Sequence, residues 1–130
     1  MERKWIITGL VLLITGIILG AFGAHALKDI IHDQERLASF ETGVRYQLIH
    51  GVAFLSLPFM ARHFELDTKW VYRLLLIGIL FFSVSIYFLT MRDIWSLGSA
   101  AKVFGPITPL GGLLLIIGWG ILLLQVIRKR

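Results

Sequence analysis

Gly16-Ile-Ile-Leu-Gly20-Ala-Phe-Gly23-Ala-His25-Ala-Leu27 decides the fold, because it closes a long apolar run on a sharp change of composition. Residues 5–15 before it are mostly apolar, and residues 28–45 after it are the most polar part of the chain. Such a run predicts a helix that crosses a bilayer and ends at its surface. Within it Gly9, Gly16, Gly20, Gly23 and Ala24 fall within roughly 100° of one another at 3.6 residues per turn. Gly16-xxx-Gly20-xxx-Ala24 is a small-xxx-small pattern, which in lipid lets two backbones approach closely. The stripe of Gly9, Gly16, Gly20 and Ala24 is expected to pack against another helix of the same chain. A homo-oligomer interface is the sharper alternative. His25 projects nearly opposite the stripe, outside that contact.

The rest of the 130-residue chain has the same character. It is 57% hydrophobic with a mean hydropathy of +0.81 and only 16% charged residues, against about 45–50% apolar in globular proteins. A soluble chain this small could not hide that much apolar surface. Four runs approach the roughly 20 residues that a span needs: 5–27, 44–61, 70–91 and 103–127. The fold expected is all-α: one transmembrane domain, an integral membrane four-helix bundle with a short amphipathic segment between spans 1 and 2. The opening Met-Glu-Arg-Lys followed by apolar residues resembles a signal peptide, but the run is too long for one and reads as a retained helix.

The net charge of +5 sits at the ends of the apolar runs, where Lys and Arg meet headgroups, so nucleic acid is not an expected partner. With four spans, one side carries Arg3, Lys4, Arg62, Lys69, Arg73, Arg128, Lys129 and Arg130. The other carries Lys28, Arg36, Arg45, Arg92 and Lys102. The excess places both termini in the cytoplasm. Trp5, Trp70, Tyr72, Trp95 and Phe104 lie near span ends, as an aromatic belt would. The absence of cysteine removes disulfides, thiolate metal sites and cysteine nucleophiles.

Between the first two spans, Asp33 reads as an N-cap with Gln34 and Glu35 in the first turn. Leu37, Phe40 and Val44 follow at helical spacing, either as a helix on the outer interface or as an extension of span 2. Glu41 and Arg45 are placed to pair on its wet side. Span 2 carries the densest polar constellation: Gly43, Tyr46, Gln47 and His50 share one face. A histidine at this depth must find partners or shed its proton. Pro58 is expected to kink the end of this span. In span 3, Ser83, Tyr87 and Thr90 share one face, and Gly78 and Ser85 the other. Pro106 and Pro109 lack N–H donors, so Gly105-Pro-Ile-Thr-Pro-Leu-Gly-Gly112 is not expected to be regular helix throughout. The candidate polar or ligand cluster is Tyr46, Gln47, His50, Ser83, Tyr87 and Thr108.

Gly20-Ala-Phe-Gly-Ala-His-Ala-Leu27, Tyr46-Gln-x-x-His50, Phe82-Ser-x-Ser-x-Tyr87 and Thr108-Pro-x-Gly-Gly112 occur in that order. Together they resemble the domain-of-unknown-function family 423, small membrane proteins of the YgdD/YwdK type that include eukaryotic transmembrane protein 256. The resemblance covers nearly the whole chain and marks Gly20, Gly23, His25, Ser85, Pro109, Gly111 and Gly112 beside the cluster residues. It implies a four-span protein of the bacterial inner membrane, given no targeting extension, and carries no catalytic role.

Enzyme motifs are lacking: no P-loop, dinucleotide fingerprint, His-Glu-x-x-His or Gly-x-Ser-x-Gly occurs. Ser83 or Ser85 with His50 would have no carboxylate at membrane depth to orient the base. Every Asp and Glu lies outside the four runs, which argues against a carboxylate-driven exporter. His25 and His50 are the only candidates for an axial haem pair, and their depths are mismatched. No cofactor or metal is expected. The function expected is that of a non-enzymatic integral membrane protein acting through protein or lipid contacts, with membrane lipid, a homo-oligomer or a membrane-protein partner as its company. A small transporter or channel with a polar site around His50 is the alternative.

Overall fold

The glycine stripe finds its partner within the chain. In the computed structural model, which describes residues 2–129, the first helix, α1 (Glu2–Ala24), runs antiparallel to α3 (Gln34–His63). A Cβ at Gly9 would lie 2.8 Å from the Gly51 carbonyl oxygen, and one at Gly16 2.7 Å from the Leu48 side chain. One at Gly23 would lie 2.7 Å from the Phe40 ring. At Gly9 the obstacle is backbone and only glycine admits the approach, whereas at Gly16 and Gly23 a side chain would have to shift; close backbone packing is what holds helices together in lipid. Ala24 is exposed, so Gly23 and not Ala24 completes the stripe: the pattern drifts round the helix because four residues exceed one turn.

Gly20 differs from its neighbours. A Cβ there would meet Val44 at 3.4 Å, an ordinary contact. Gly20→Ala is therefore expected to leave stability unchanged or raise it by up to about 1 kcal/mol through helix propensity. Gly9→Ala should lower it. A lower unfolding midpoint in detergent for Gly20→Ala than for Gly9→Ala would contradict this packing.

α1 breaks at His25, and the short α2 (Ala26–Ile30) turns the chain back. Asp33 caps α3 as expected, its Oδ1 accepting from the N–H groups of Glu35 at 3.0 Å and Arg36 at 3.3 Å. From there α3 is continuous, so Leu37, Phe40 and Val44 belong to an extension of the second long helix and are buried. Glu41 and Arg45 form no ion pair among the described residues. Pro58 sits buried within α3 and leaves it helical to His63. Glu65 closes α3 at φ +50°, with Leu66 N–H donating to the Ala61 carbonyl, the 6→1 bond of a Schellman turn.

The third rod is continuous but not uniform: α4 (Lys69–Ile79), a π turn (Leu80–Val84) and α5 (Ser85–Thr90) stack end to end. A 3-10 turn (Gly98–Ala100) leads into α6 (Ala101–Arg128). The prolines do not break α6, contrary to expectation. Pro106 and Pro109 lie within its first turns, where Gly105 and Pro106 are exposed at the end of the bundle. Each proline frees the carbonyl four residues before it, at Lys102 and Gly105, and both residues are exposed at the end of the bundle, where hydroxyls or water accommodate those carbonyls.

α3 lies between α1 and the third rod, and the rod lies between α3 and α6. Two apolar clusters fill the interior. One centres on Trp5, Phe54, Val71, Leu75 and Leu115, the other on Leu27, Phe40, Val44 and Met91. Trp5 is therefore a core residue, and Tyr72 is half-buried against that core: Trp5 packs at 5.0 Å against both Phe54 and Tyr72, and Tyr72 shares a hydrogen bond with Thr8 at 2.8 Å. Trp70 and Trp95 remain exposed as a belt would place them.

Three helical stretches are long and apolar enough to cross a membrane: Glu2–Ala24, Lys69–Thr90 and Gly98–Arg128. The fourth expected span, residues 44–61, lies in α3, where Arg45, Gln47 and His50 dilute the apolar content. Arg130, counted above among the basic residues, lies outside the described residues.

Candidate functional site

Gln47 is the hub of the interior. It stands on α3 with only 5% of its surface exposed, and its two ends reach opposite ways. Nε2 donates to the Leu12 carbonyl at 3.0 Å and to Thr15 Oγ1 at 2.7 Å, both on α1. Oε1 accepts from the Tyr87 hydroxyl of α5 at 2.7 Å. Thr15 in turn donates to the Val11 carbonyl at 2.7 Å. One side chain thus ties three helices, and each of its polar groups is satisfied, as a buried amide requires. One turn away, Ser83 Oγ donates to the Gly43 carbonyl at 2.7 Å.

Ser85 faces the other way. Its hydroxyl lies within hydrogen-bond distance of the Phe81 and Phe82 carbonyls, beside the π turn, and 2.6 Å from Thr108 Oγ1 on α6. The two faces anticipated for span 3 thus divide between two neighbours. Ser83 and Tyr87 lock to α3, while Gly78 and Ser85 lie against α6.

His50 bridges α3 to α6. Trp119 Nε1 donates to His50 Nε2 at 3.1 Å, and His50 Nδ1 lies 2.8 Å from the Tyr46 carbonyl. An indole N–H can only donate, so Nε2 accepts and Nδ1 carries the proton that the carbonyl takes. The ring is a neutral imidazole with both nitrogens committed. Nitrogen NMR of the imidazole is expected to show this Nδ1-protonated form. Trp119→Phe, which removes the donor and keeps an aromatic ring, should lower stability by about 0.6 kcal/mol and by no more than about 1.7. A signal from doubly protonated imidazole, or an unchanged imidazole spectrum in Trp119→Phe, would contradict the assignment.

The six cluster residues do not form one site. Gln47, Ser83 and Tyr87 share one set of contacts, Thr108 joins Ser85, and His50 joins Trp119. Tyr46 is partly exposed, its ring 4.8 Å from that of Phe82. Neither serine contacts His50, so the nucleophile–base pair is not formed: Ser83 and Ser85 both bond to backbone carbonyls. His25 stands exposed at the break after α1 while His50 is buried in α3, so the two are not brought together. Among the described residues, no three His, Asp or Glu side chains cluster in a way that could hold a metal ion. Of the residues marked by motif, Pro109 is exposed on α6, and Gly111 and Gly112 abut the π turn.

Thr15, Trp119 and Arg36 were not singled out as site residues by the sequence. Trp119 shares a helical face with Thr108 and Gly112, which was the available signal. Arg36 pairs with Asp93 at 2.6 Å and donates to the Thr90 carbonyl, tying the start of α3 to the end of α5.

Most of these helix-to-helix locks include a residue between positions 19 and 112. The family model described as "Protein of unknown function (DUF423)" matches residues 19–112. The chain belongs to the DUF423 family. Curated relatives of this DUF423 member include a UPF0382 membrane protein of Staphylococcus epidermidis, 34% identical over 97% of both chains. The UPF0382 membrane protein SAB0533 of Staphylococcus aureus is 36% identical, again over 97% of both. No solved structure matches the chain significantly.

Proposed function

We propose that this DUF423 member is a four-span protein of the bacterial inner membrane with both termini in the cytoplasm, acting without catalysis through contacts with lipid or with other membrane proteins. One observation carries this: from Gln47 to Ala61, α3 turns its large polar side chains inward and large apolar ones outward, and the exposed Arg45 stands at the start of that stretch, where headgroups would lie. Its outward residues Ile49, Val52 and Phe59 are 56%, 58% and 66% exposed, while Gln47 and His50 are each 5% exposed. Residues 44–61 rise about 27 Å as helix, close to the bilayer core of about 30 Å. Gln47 and His50 are engaged by other helices, so neither exposes an unpaired polar group to lipid. The same engagement favours a lock over a transport site, because His50 has no free nitrogen with which to pass a proton.

Proteoliposomes carrying a pH-sensitive dye test this. Under an imposed potential, proton flux is expected to match that of protein-free vesicles. A flux that His50→Ala abolishes would establish the transporter or channel instead.

A further inference from the structure

A cavity of about 520 Å3 lies between α3 and α6 at the end of the bundle where α5 stops, within the size range of sites for small organic molecules. Ile86 and Leu89 of α5 supply apolar lining, and Arg36, Ser39 and Thr42 supply polar lining from α3. Arg36 is held by Asp93 and by the Thr90 carbonyl, yet its Nε is buried with no hydrogen-bond partner. A guanidinium has five N–H donors, more than these two partners take, and Arg92, 3.9 Å from Asp93, adds a second cation to the lining.

Acceptors complement them. The hydroxyls of Ser39 and Thr42 donate to the Glu35 and Ala38 carbonyls at 2.9 and 3.0 Å, which leaves lone pairs for a ligand. Glu35 also lines the cavity, whereas Asp33 is engaged as the helix cap and Asp93 by Arg36. Cationic donors beside anionic acceptors match a zwitterion better than a bare anion: a phosphate for the arginines and an ammonium for the carboxylate.

The polar cavity continues into a less polar furrow. The α3 face of Arg36 and Ser39 runs on through Tyr46, which is 42% exposed and rests against Phe82 at 4.8 Å. The facing residues of α6 are Gly105, Thr108 and Gly112. A Cβ at Gly105 would meet nothing within 4 Å, and one at Gly112 only the Phe82 ring at 3.8 Å.

We propose that this groove holds one zwitterionic phospholipid of the phosphatidylethanolamine type. Its phosphate lies at Arg36 and Arg92, its ammonium at Glu35 and Ser39, and one acyl chain runs along Tyr46 and Gly112. The proposal rests on the lipid-contact reading above and gives that contact a headgroup chemistry.

Native mass spectrometry of the detergent-purified full chain, titrated with phosphatidylethanolamine or phosphatidylglycerol, is the test. One phosphatidylethanolamine should bind about tenfold or more tightly than phosphatidylglycerol. Arg36→Gln should lose about tenfold in affinity, as expected for one charge-assisted hydrogen bond. Gly105→Phe should fill the furrow and block binding while keeping the wild-type unfolding midpoint, which separates loss of the site from loss of the fold. Equal binding of the two lipids, or wild-type affinity in Gly105→Phe, would reduce the contact to ordinary bilayer solvation and overturn the proposal. So would soluble phosphoethanolamine binding as tightly as the lipid, since the site would then take a free headgroup. The flux assay is independent: a chain that leaks protons yet holds the lipid overturns the functional reading alone, and a tight chain without lipid overturns the groove alone.

Discussion

Gly111→Ala is expected to lower stability by about 3 kcal/mol, the upper end of the usual range for an overpacked interior. A Cβ at Gly111 would lie 2.4 Å from the Phe82 nitrogen, 2.8 Å from the Gly78 carbonyl oxygen and 2.8 Å from the Phe81 carbonyl carbon. All three are backbone atoms in or beside the π turn, and backbone cannot swing away as a side chain can. α6 would have to back off the third rod. That movement would also strain the Ser85–Thr108 hydrogen bond and the fit of Gly78 against Leu115. Gly112 supplies the control. It is adjacent in sequence and equally helical, yet its Cβ would find ordinary contact with the Phe82 ring at 3.8 Å, so Gly112→Ala should be neutral or slightly stabilising. Reversible unfolding in mixed micelles measures both, and equal effects would remove the π-turn contact from the account.

Gln47→Leu is expected to lower stability by about 2 kcal/mol. Interhelical hydrogen bonds in membranes are individually modest, averaging about 0.6 kcal/mol, but this substitution removes bonds to two helices at once. It also leaves the buried Tyr87 hydroxyl without its acceptor, and an unsatisfied buried group costs about 1–3 kcal/mol. Tyr87→Phe in the Gln47→Leu background should therefore recover part of the loss. The double variant should be more stable than the sum of the two single losses predicts. Strict additivity would mean that Gln47 and Tyr87 do not act as a unit.

Much of this architecture is written locally. Asp33 caps a helix because a short carboxylate before an apolar-periodic run can reach the first amides. Ser83 and Ser85 divide between two neighbours because two residues along a helix are about 200° apart. The glycines of α1 were legible as a packing stripe, though only Gly9, Gly16 and Gly23 are tight. What the residue pattern could not supply was pairing across the fold. His50 finds Trp119 only when the third rod brings α3 and α6 to its two sides within reach of each other, and Arg36 finds Asp93 only when that rod ends beside the start of α3. The prolines misled for the same reason. Their local effect is to break a helix, and only the position of α6 at an exposed end of the bundle and beside Ser85 lets it continue. An average over the residues of α3 also cannot tell which side each one faces.

The claim on which the rest depends is that α3 crosses the membrane with its polar groups turned inward. The chain has no cysteine, so single cysteines at Lys4, Ser99 and Lys129 can be tested in turn with a membrane-impermeant maleimide on intact cells and on lysates. With four spans, Ser99→Cys reacts from outside, and Lys4→Cys and Lys129→Cys react only after lysis. If Lys4→Cys and Lys129→Cys react from opposite sides, only three helices cross the membrane, and α3 does not span it.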